Sequence, residues 1–206
     1  MSSPKKTVGA APDHGAADAP DDLAKSISQA TKGRAGPPPV HLWNPPYCGD
    51  LDIHIARNGA WSYLGSPIQR PELVKLFASI LKLEEGRYYL VTPVEKIGIT
   101  VEDAPFVAVD FQLTGNGNPA LIFETNVGDL TRAGPDNPIR VERDPETGEP
   151  APYVHVRRGL EALIDRKSFY RLVEICEERD HKGAPWFGVT SDQVFFPIAP
   201  VAEIDA

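Results

Sequence analysis

Arg70 and Arg166 each stand at the start of a predicted helix. A cation there opposes the helix macrodipole unless something negative intervenes. The free N–H groups of a first helical turn also need an acceptor. Each arginine, with its helix start, therefore reads as a holder for one carboxylate or phosphate group, from a ligand or from the protein itself. The competing reading is an internal ion pair, Arg70 with Asp50, Glu95 or Asp103, and Arg166 with a loop acid.

Other residue types offer less. Asp50 and Asp52 fall two apart on one face of a predicted strand, with Glu95, Glu102 and Asp103 elsewhere. Two close carboxylates raise one pKa and can serve as an acid/base pair or hold a hard cation. Paired acids at a strand entrance are also simply solvated. Cys48 sits in the aromatic turn Trp43-Asn44-Pro45-Pro46-Tyr47-Cys48. A reactive thiolate needs a neighbouring cation or helix start, and the alternative is that Trp43 and Tyr47 clamp the chain with Cys48 packed among them. His41, His54, His155 and His181 are scattered, with no pair at i, i+3 or i+4. A zinc site needs three or four ligands at workable spacing, so neither a metal nor a cofactor is expected. Thr92, Glu95 and Lys96 cluster at a tight Thr92-Pro93-Val94 turn. Loops on rigid scaffolds often carry function, although Thr92 can equally bond its own turn.

The elements that must position these residues follow from periodicity. Leu51, Ile53 and Ile55 alternate with Asp52 and His54, as in a half-buried strand. Asn58-Gly59 is a hairpin signal, and Ala60–Leu64 returns as its partner. Arg70–Lys82 reads as a helix, with Pro71 in its first turn and Leu73, Val74, Leu76, Phe77, Ile80 and Leu81 as one stripe. Arg87–Thr92 and Glu95–Val101 read as strands. Phe106–Leu113 pairs across Gly115-Asn116-Gly117-Asn118 with Ala120–Thr125. Residues 131–152, rich in Pro and Gly, read as a long polar loop or linker.

The second half then replays the first. Val154-His155-Val156 matches Ile53-His54-Ile55, and Gly159 matches Gly59. The helix aligns without gaps, Phe169, Leu172, Val173 and Cys176 falling on Leu73, Leu76, Phe77 and Ile80. Trp186–Thr190 matches Tyr88–Thr92, and Asp192–Ile198 the strand after it. The fold class is therefore α+β: two divergent ββαββ-like repeats, mainly antiparallel, with an additional hairpin. The organisation is a mobile arm over 1–40, a first repeat plus hairpin over 41–130, the loop 131–152, and a second repeat over 153–206. Within the arm, Asp21–Ala30 can form a short helix, since Leu23, Ile27 and Ala30 share a face.

Composition excludes some partners. The net charge of −8 disfavours nucleic acid, whose binding rests on Lys and Arg meeting phosphates, and anionic membrane surfaces likewise. There is no apolar run of the ~18 residues a membrane span needs. Two cysteines are too few for a secreted disulfide framework. The cytoplasm is the expected location.

Several motifs together carry a resemblance. Trp43-Asn44-Pro45-Pro46-Tyr47-Cys48-Gly49-Asp50, Ile55-Ala56-Arg57-Asn58-Gly59-Ala60-Trp61, Gly65-Ser66-Pro67-Ile68, Leu90-Val91-Thr92-Pro93-Val94-Glu95-Lys96 and Val101-Glu102-Asp103-Ala104-Pro105-Phe106 resemble the bacterial family catalogued as domain of unknown function 1285. The resemblance spans roughly residues 40–200. It implies an α+β fold with repeated motifs and a role in signalling or regulation. It brings no catalytic residues to transfer. Asn58 stands where Asp is common in the family, and either suits the turn.

Three classes of function remain. The leading expectation is a regulatory protein that binds a small, anionic ligand or a protein partner in a cleft between the repeats. Its candidate residues are Arg70, Arg166, His54, His155, Thr92, Glu95, Lys96, Asp50, Trp43 and Cys48. His54 and His155 enter because the repeat gives them equivalent strand positions, from which they can face one groove. The first alternative is an assembly protein, an oligomer included, that pairs through an exposed edge of the 106–125 hairpin. The second is an enzyme using carboxylates or Cys48 in the same cleft.

Overall fold

The computed structural model describes residues 19–31, 37–115, 118–145 and 147–204. The expected helix in the arm is present as α1 (Ala19–Thr31), with Leu23 and Ile27 buried. That apolar face packs on the next helix of the chain. The rest of the arm, residues 1–18 and 32–36, lies outside the described residues.

The first half builds one sheet. Strand β1 (Tyr47–Ile55) turns through Arg57, Asn58 and Gly59 into β2 (Trp61–Tyr63), followed by β3 (Ser66–Pro67). Gly59 takes the left-handed conformation, φ +81°, as the last residue of a three-residue hairpin loop does. Helix α2 (Pro71–Ser79) follows, then β4 (Leu81–Glu84), β5 (Arg87–Val91) and β6 (Lys96–Val101). The helix is shorter than the Arg70–Lys82 expected. Glu85 and Gly86 both have positive φ, a two-residue hairpin turn that pairs Leu81 with Leu90 and Leu83 with Tyr88. The six strands lie in the order β3-β2-β1-β6-β5-β4, with β6 parallel to β1.

The second half divides its strands between two sheets. Strands β7 (Phe106–Thr114), β8 (Ala120–Thr125), β9 (Leu130–Arg132), β10 (Ile139–Arg143), β11 (Pro150–Arg157) and β12 (Leu160–Ile164) form the order β10-β11-β12-β7-β8-β9. Residues 116 and 117, part of the expected Gly115–Asn118 turn, lie outside the described residues. Helix α3 (Arg166–Glu174) follows, then the meander β13 (Glu177–His181), β14 (Ala184–Ser191) and β15 (Val194–Pro200), a sheet of its own. A last turn, α4 (Val201–Ile204), closes the described chain.

One expectation is corrected here. The stretch 131–152 is not a linker: Ile139 and Val141 alternate with Arg140 and Glu142, and β10 pairs along β11 from Ile139↔Val154 to Arg143↔Pro150. The 106–125 hairpin is covered over part of its length, β7 running parallel to β12 at Phe106–Ala108 and β8 pairing with β9 at Ile122–Glu124, while Leu113 near its tip is exposed. The end of β8 is covered too, since Leu121 N–H donates to Ser191 Oγ at 2.8 Å. The fold class stands as α+β with mixed, mostly antiparallel sheets.

One apolar cluster runs through all of this, including Ile53, Phe77, Phe106, Phe123, Leu172 and Phe196. Each fully buried large side chain contributes roughly 1.5–3 kcal/mol. The halves are also tied by polar contacts. Asn126 Nδ2 donates to Gly59 O at 3.2 Å, while its Oδ1 accepts from Val107 N–H at 3.0 Å. Arg157 pairs with Asp129, donates to Ala78 O at 2.9 Å and lies over the Phe106 ring.

Candidate functional site

The turn after β1 and the start of α3 face one cavity. Arg57 Nε lies 3.2 Å from Asp103 Oδ2, and the other Asp103 oxygen accepts from the Tyr153 hydroxyl at 2.8 Å. Burial, reinforced by that hydrogen bond, pushes the Tyr153 hydroxyl well above the usual phenol range, so it remains a donor. Glu102 holds the same turn from beneath. Its Oε2 accepts from Arg57 N–H at 2.7 Å and its Oε1 lies 3.2 Å from His54 Nε2. The turn is thereby fixed, and Arg57 lines a cavity of about 380 Å³ with Glu149, Arg166, Phe169 and Tyr170. Arg166 is exposed and makes no hydrogen bond or ion pair with any described residue.

Asp165 explains how Arg166 is tolerated at the first position of α3. Its side chain caps the helix by accepting from Ser168 N–H at 2.7 Å. The carboxylate offsets the positive helix end and leaves the guanidinium without a partner.

A second cavity of about 400 Å³ adjoins the first, sharing Pro150 and Phe169 with it. Val173, Cys176, Phe187 and Ile198 make its wall apolar, and the ion pair of Arg143 with Glu203, 2.5 Å, stands at its border. Burial pushes the Cys176 thiol up to about 11, so it is a neutral thiol at neutral pH. Cys176 lies just past the C-cap Ile175, not on the helix face the sequence predicted.

In the first half, β6 pairs directly with β1. In the second half, β10 pairs with β11, and β15 runs near β10 without joining its sheet. The apolar cavity lies in that seam, between α3, β10 and β15.

The other predicted residues are spread out. His54 and His155 share no partner. His155 Nε2 accepts from Gly159 N–H at 3.0 Å and Nδ1 lies 3.2 Å from Asn137 Nδ2, whereas His54 meets Glu102. Arg70 is the N-cap of α2 and is not free of partners. Buried Thr92 accepts from Val94 and Glu95 N–H through Oγ1, which is a self-bonded turn. Glu95 belongs to that turn, and Lys96 bonds Glu84 at 2.8 Å over the Tyr89 ring. Asp50 is held by Arg87 at 2.9 Å and lies directly above Gly98, where a Cβ would come within 1.8 Å of its Oδ1. Trp43 is half-buried against the core, its carbonyl accepting from Lys82 Nζ at 3.1 Å. Cys48 is exposed rather than packed, its thiol 3.4 Å from Pro46 O. Pro45 and Pro46, just before Tyr47, favour an extended backbone there.

Of the predicted set, Arg166 reaches the cavity. Arg57, Glu149, Phe169 and Tyr170 were not singled out as ligand contacts. A signal for Arg57 was present, since it precedes a hairpin turn and the chain carries the complementary acids Glu102-Asp103. Among the described residues no three His, Cys, Asp or Glu side chains gather to hold a metal ion, and no helix is long and apolar enough to cross a membrane.

Two family models match the chain. The N-terminal domain of unknown function DUF1285 matches residues 38–104, and the C-terminal domain of the protein of unknown function DUF1285 matches 105–198. That division assigns the 106–125 hairpin to the C-terminal part, as its sheet does. No curated protein matches. A DUF1285 family protein from Silicibacter pomeroyi DSS-3 is 58% identical, with a TM-score of 0.79, over 88% of this chain and 98% of its own. One from Shewanella baltica OS155 is 31% identical, with a TM-score of 0.49, over 60% of this chain and 91% of its own. With its two domain models end to end and that identity to a solved member, the chain belongs to the DUF1285 family.

Proposed function

We propose that this chain is a regulatory protein that binds a small anionic molecule in the cavity between the Arg57 turn and α3. The observation that carries the reading is Arg166, an unpaired guanidinium lining a cavity of about 380 Å³ with Arg57. A planar guanidinium fork matches carboxylate and phosphate oxygens and is weakly hydrated, so it binds them well. Arg57 is oriented by Asp103 and Glu102, which lowers the ordering cost of using it.

The same reading takes the two halves as divergent copies of one unit. Support comes from element order: β1–β2, α2, then β4–β6, against β11–β12, α3, then β13–β15. Each helix is followed by three strands rather than the two expected. The cavity then lies where the copies meet, with Arg57 from one and Arg166 from the other.

The test is a thermal-shift screen of the purified chain against organic acids, phosphosugars and nucleotides. A ligand at ~100 times its dissociation constant adds about 2.7 kcal/mol of stability. The reading predicts that an anion raises the melting point and that Arg166→Ala abolishes the rise. A broad panel without a shift, or a shift that survives Arg166→Ala, refutes it.

A further inference from the structure

We infer that the ligand is an amphipathic monoanion, a carboxylate with an unbranched apolar chain, its head at Arg166 and its tail in the apolar cavity behind Phe169. This rests on the proposed anion site and names the chemical class that the site takes.

The continuity of the two cavities carries it. Phe169 and Pro150 belong to both walls. A molecule held by Arg166 therefore meets, on one side, the wall of Val173, Cys176, Phe187 and Ile198. Nothing in that wall answers a polar ligand, since Cys176 is a neutral thiol and Arg143 is already paired with Glu203. Its volume of about 400 Å³ lies within the range of small-molecule sites. Such a wall half open to solvent is costly for a protein to keep unless an apolar group fills it.

Charge selects the head. Arg57 and Arg166 line the first cavity, but Glu149 does so too, and Asp103 already partners Arg57. Arg166, without a partner among the described residues, suits one negative charge. Glu149 repels any anion there, and a phosphate dianion more than a carboxylate. A carboxylate matches the fork of Arg166 in shape and in charge.

The chain's two cysteines provide the readout. Cys176 lines the tail cavity, whereas Cys48 is exposed on β1, outside both cavities. The probes are acetate, hexanoate and decanoate, each below its micelle concentration. Binding is followed by titration, and the alkylation rate of each cysteine by mass spectrometry. The expected result is a gain of about fourfold in affinity per buried methylene. Decanoate slows alkylation of Cys176 and leaves Cys48 unchanged, and Arg166→Ala weakens all three probes. Val173→Trp, at a half-exposed position of the tail wall, removes the dependence on chain length and spares acetate. If the acids bind through Arg166 with no chain-length dependence and Cys176 stays unprotected, the tail inference is overturned and the anion site stands. If decanoate binds and shields Cys176 but Arg166→Ala changes nothing, the head assignment is overturned. If no acid binds, both readings fall.

Discussion

Gly59 is the position where the fold and the candidate site meet, and its replacement by alanine tests both. Its φ of +81° is costly for any residue with a Cβ. Single residues with a Cβ lose roughly 1–2 kcal/mol in that conformation. A Cβ would also come within 2.6 Å of Asn126 Nδ2 and 3.0 Å of Val107 Cγ2. Asn126 cannot simply give way, because its two hydrogen bonds join Gly59 O to Val107 N–H. Val107 is buried, so displacing Asn126 strands an amide at a cost of roughly 1–3 kcal/mol. Together these put Gly59→Ala at about 3 kcal/mol of destabilisation. With an m-value of about 2 kcal/mol/M, the urea midpoint falls by roughly 1.5 M.

Asn126→Ala alone should cost about 2 kcal/mol, for the lost bonds and the same stranded amide. In the double variant the clash is gone and the backbone strain remains. The two effects then sum to about 1.5 kcal/mol less than additivity requires, a coupling of the size adjacent residues show. Urea denaturation of the four proteins measures it. The reasoning is refuted if Gly59→Ala costs under ~1 kcal/mol or if the effects add. Because the same turn carries Arg57, Gly59→Ala should also weaken any ligand that stabilises the wild type.

Asp165→Ala removes the cap of α3 and should cost about 1 kcal/mol in the same denaturation assay. Phe77→Ala empties a fully buried site and should cost about 3–5 kcal/mol. Glu84 is held below the usual carboxylate range by its bonds to Lys82 and then to Lys96. A depressed folded-state value gives stability that is complete above the unfolded value and lost as pH falls through the folded one. Glu84→Gln should therefore cost most near neutrality, and the melting-point gap to wild type should shrink on acidification. A gap that widens in acid would show that the two lysines do not hold the charged form.

What was legible in the chain was local. The alternation Leu51, Ile53, Ile55 and the Asn58-Gly59 turn need no information from elsewhere, and both are found in place. The end of α2 was misread for a physical reason. Leu81 follows Phe77 by four and so extends a helical stripe, while Leu81 and Leu83 also alternate as a strand. The turn Glu85-Gly86, with both residues at positive φ, decides for the strand. Residues 131–152 mislead because prolines mark turns, yet Pro138 and Pro145 bound a strand whose alternation, Ile139 and Val141, is just as clear.

The site was the least legible part, and the reason lies in long-range pairing. Arg166 stood out from its position alone, but whether it would be paired depended on which acid the fold carried to it. Asp165 took the helix end and Asp103 took Arg57, leaving Arg166 without a partner among the described residues. The apolar cavity depends on a still less local event. If β15 paired with β11 as β6 pairs with β1, the space between α3 and the sheet would be closed by a ladder. It is β10 that pairs with β11 there, through five register pairs, and the last meander forms a sheet of its own. No residue of α3 announces this, because Phe169, Val173 and Cys176 have the spacing of an ordinary core face. The seam makes that face a wall: Val173 remains half-exposed and Cys176 half-buried, although their spacing would have put both in the core. The pairing of β10 with β11, and not any feature of α3 itself, thus accounts for the apolar seam beside Arg166.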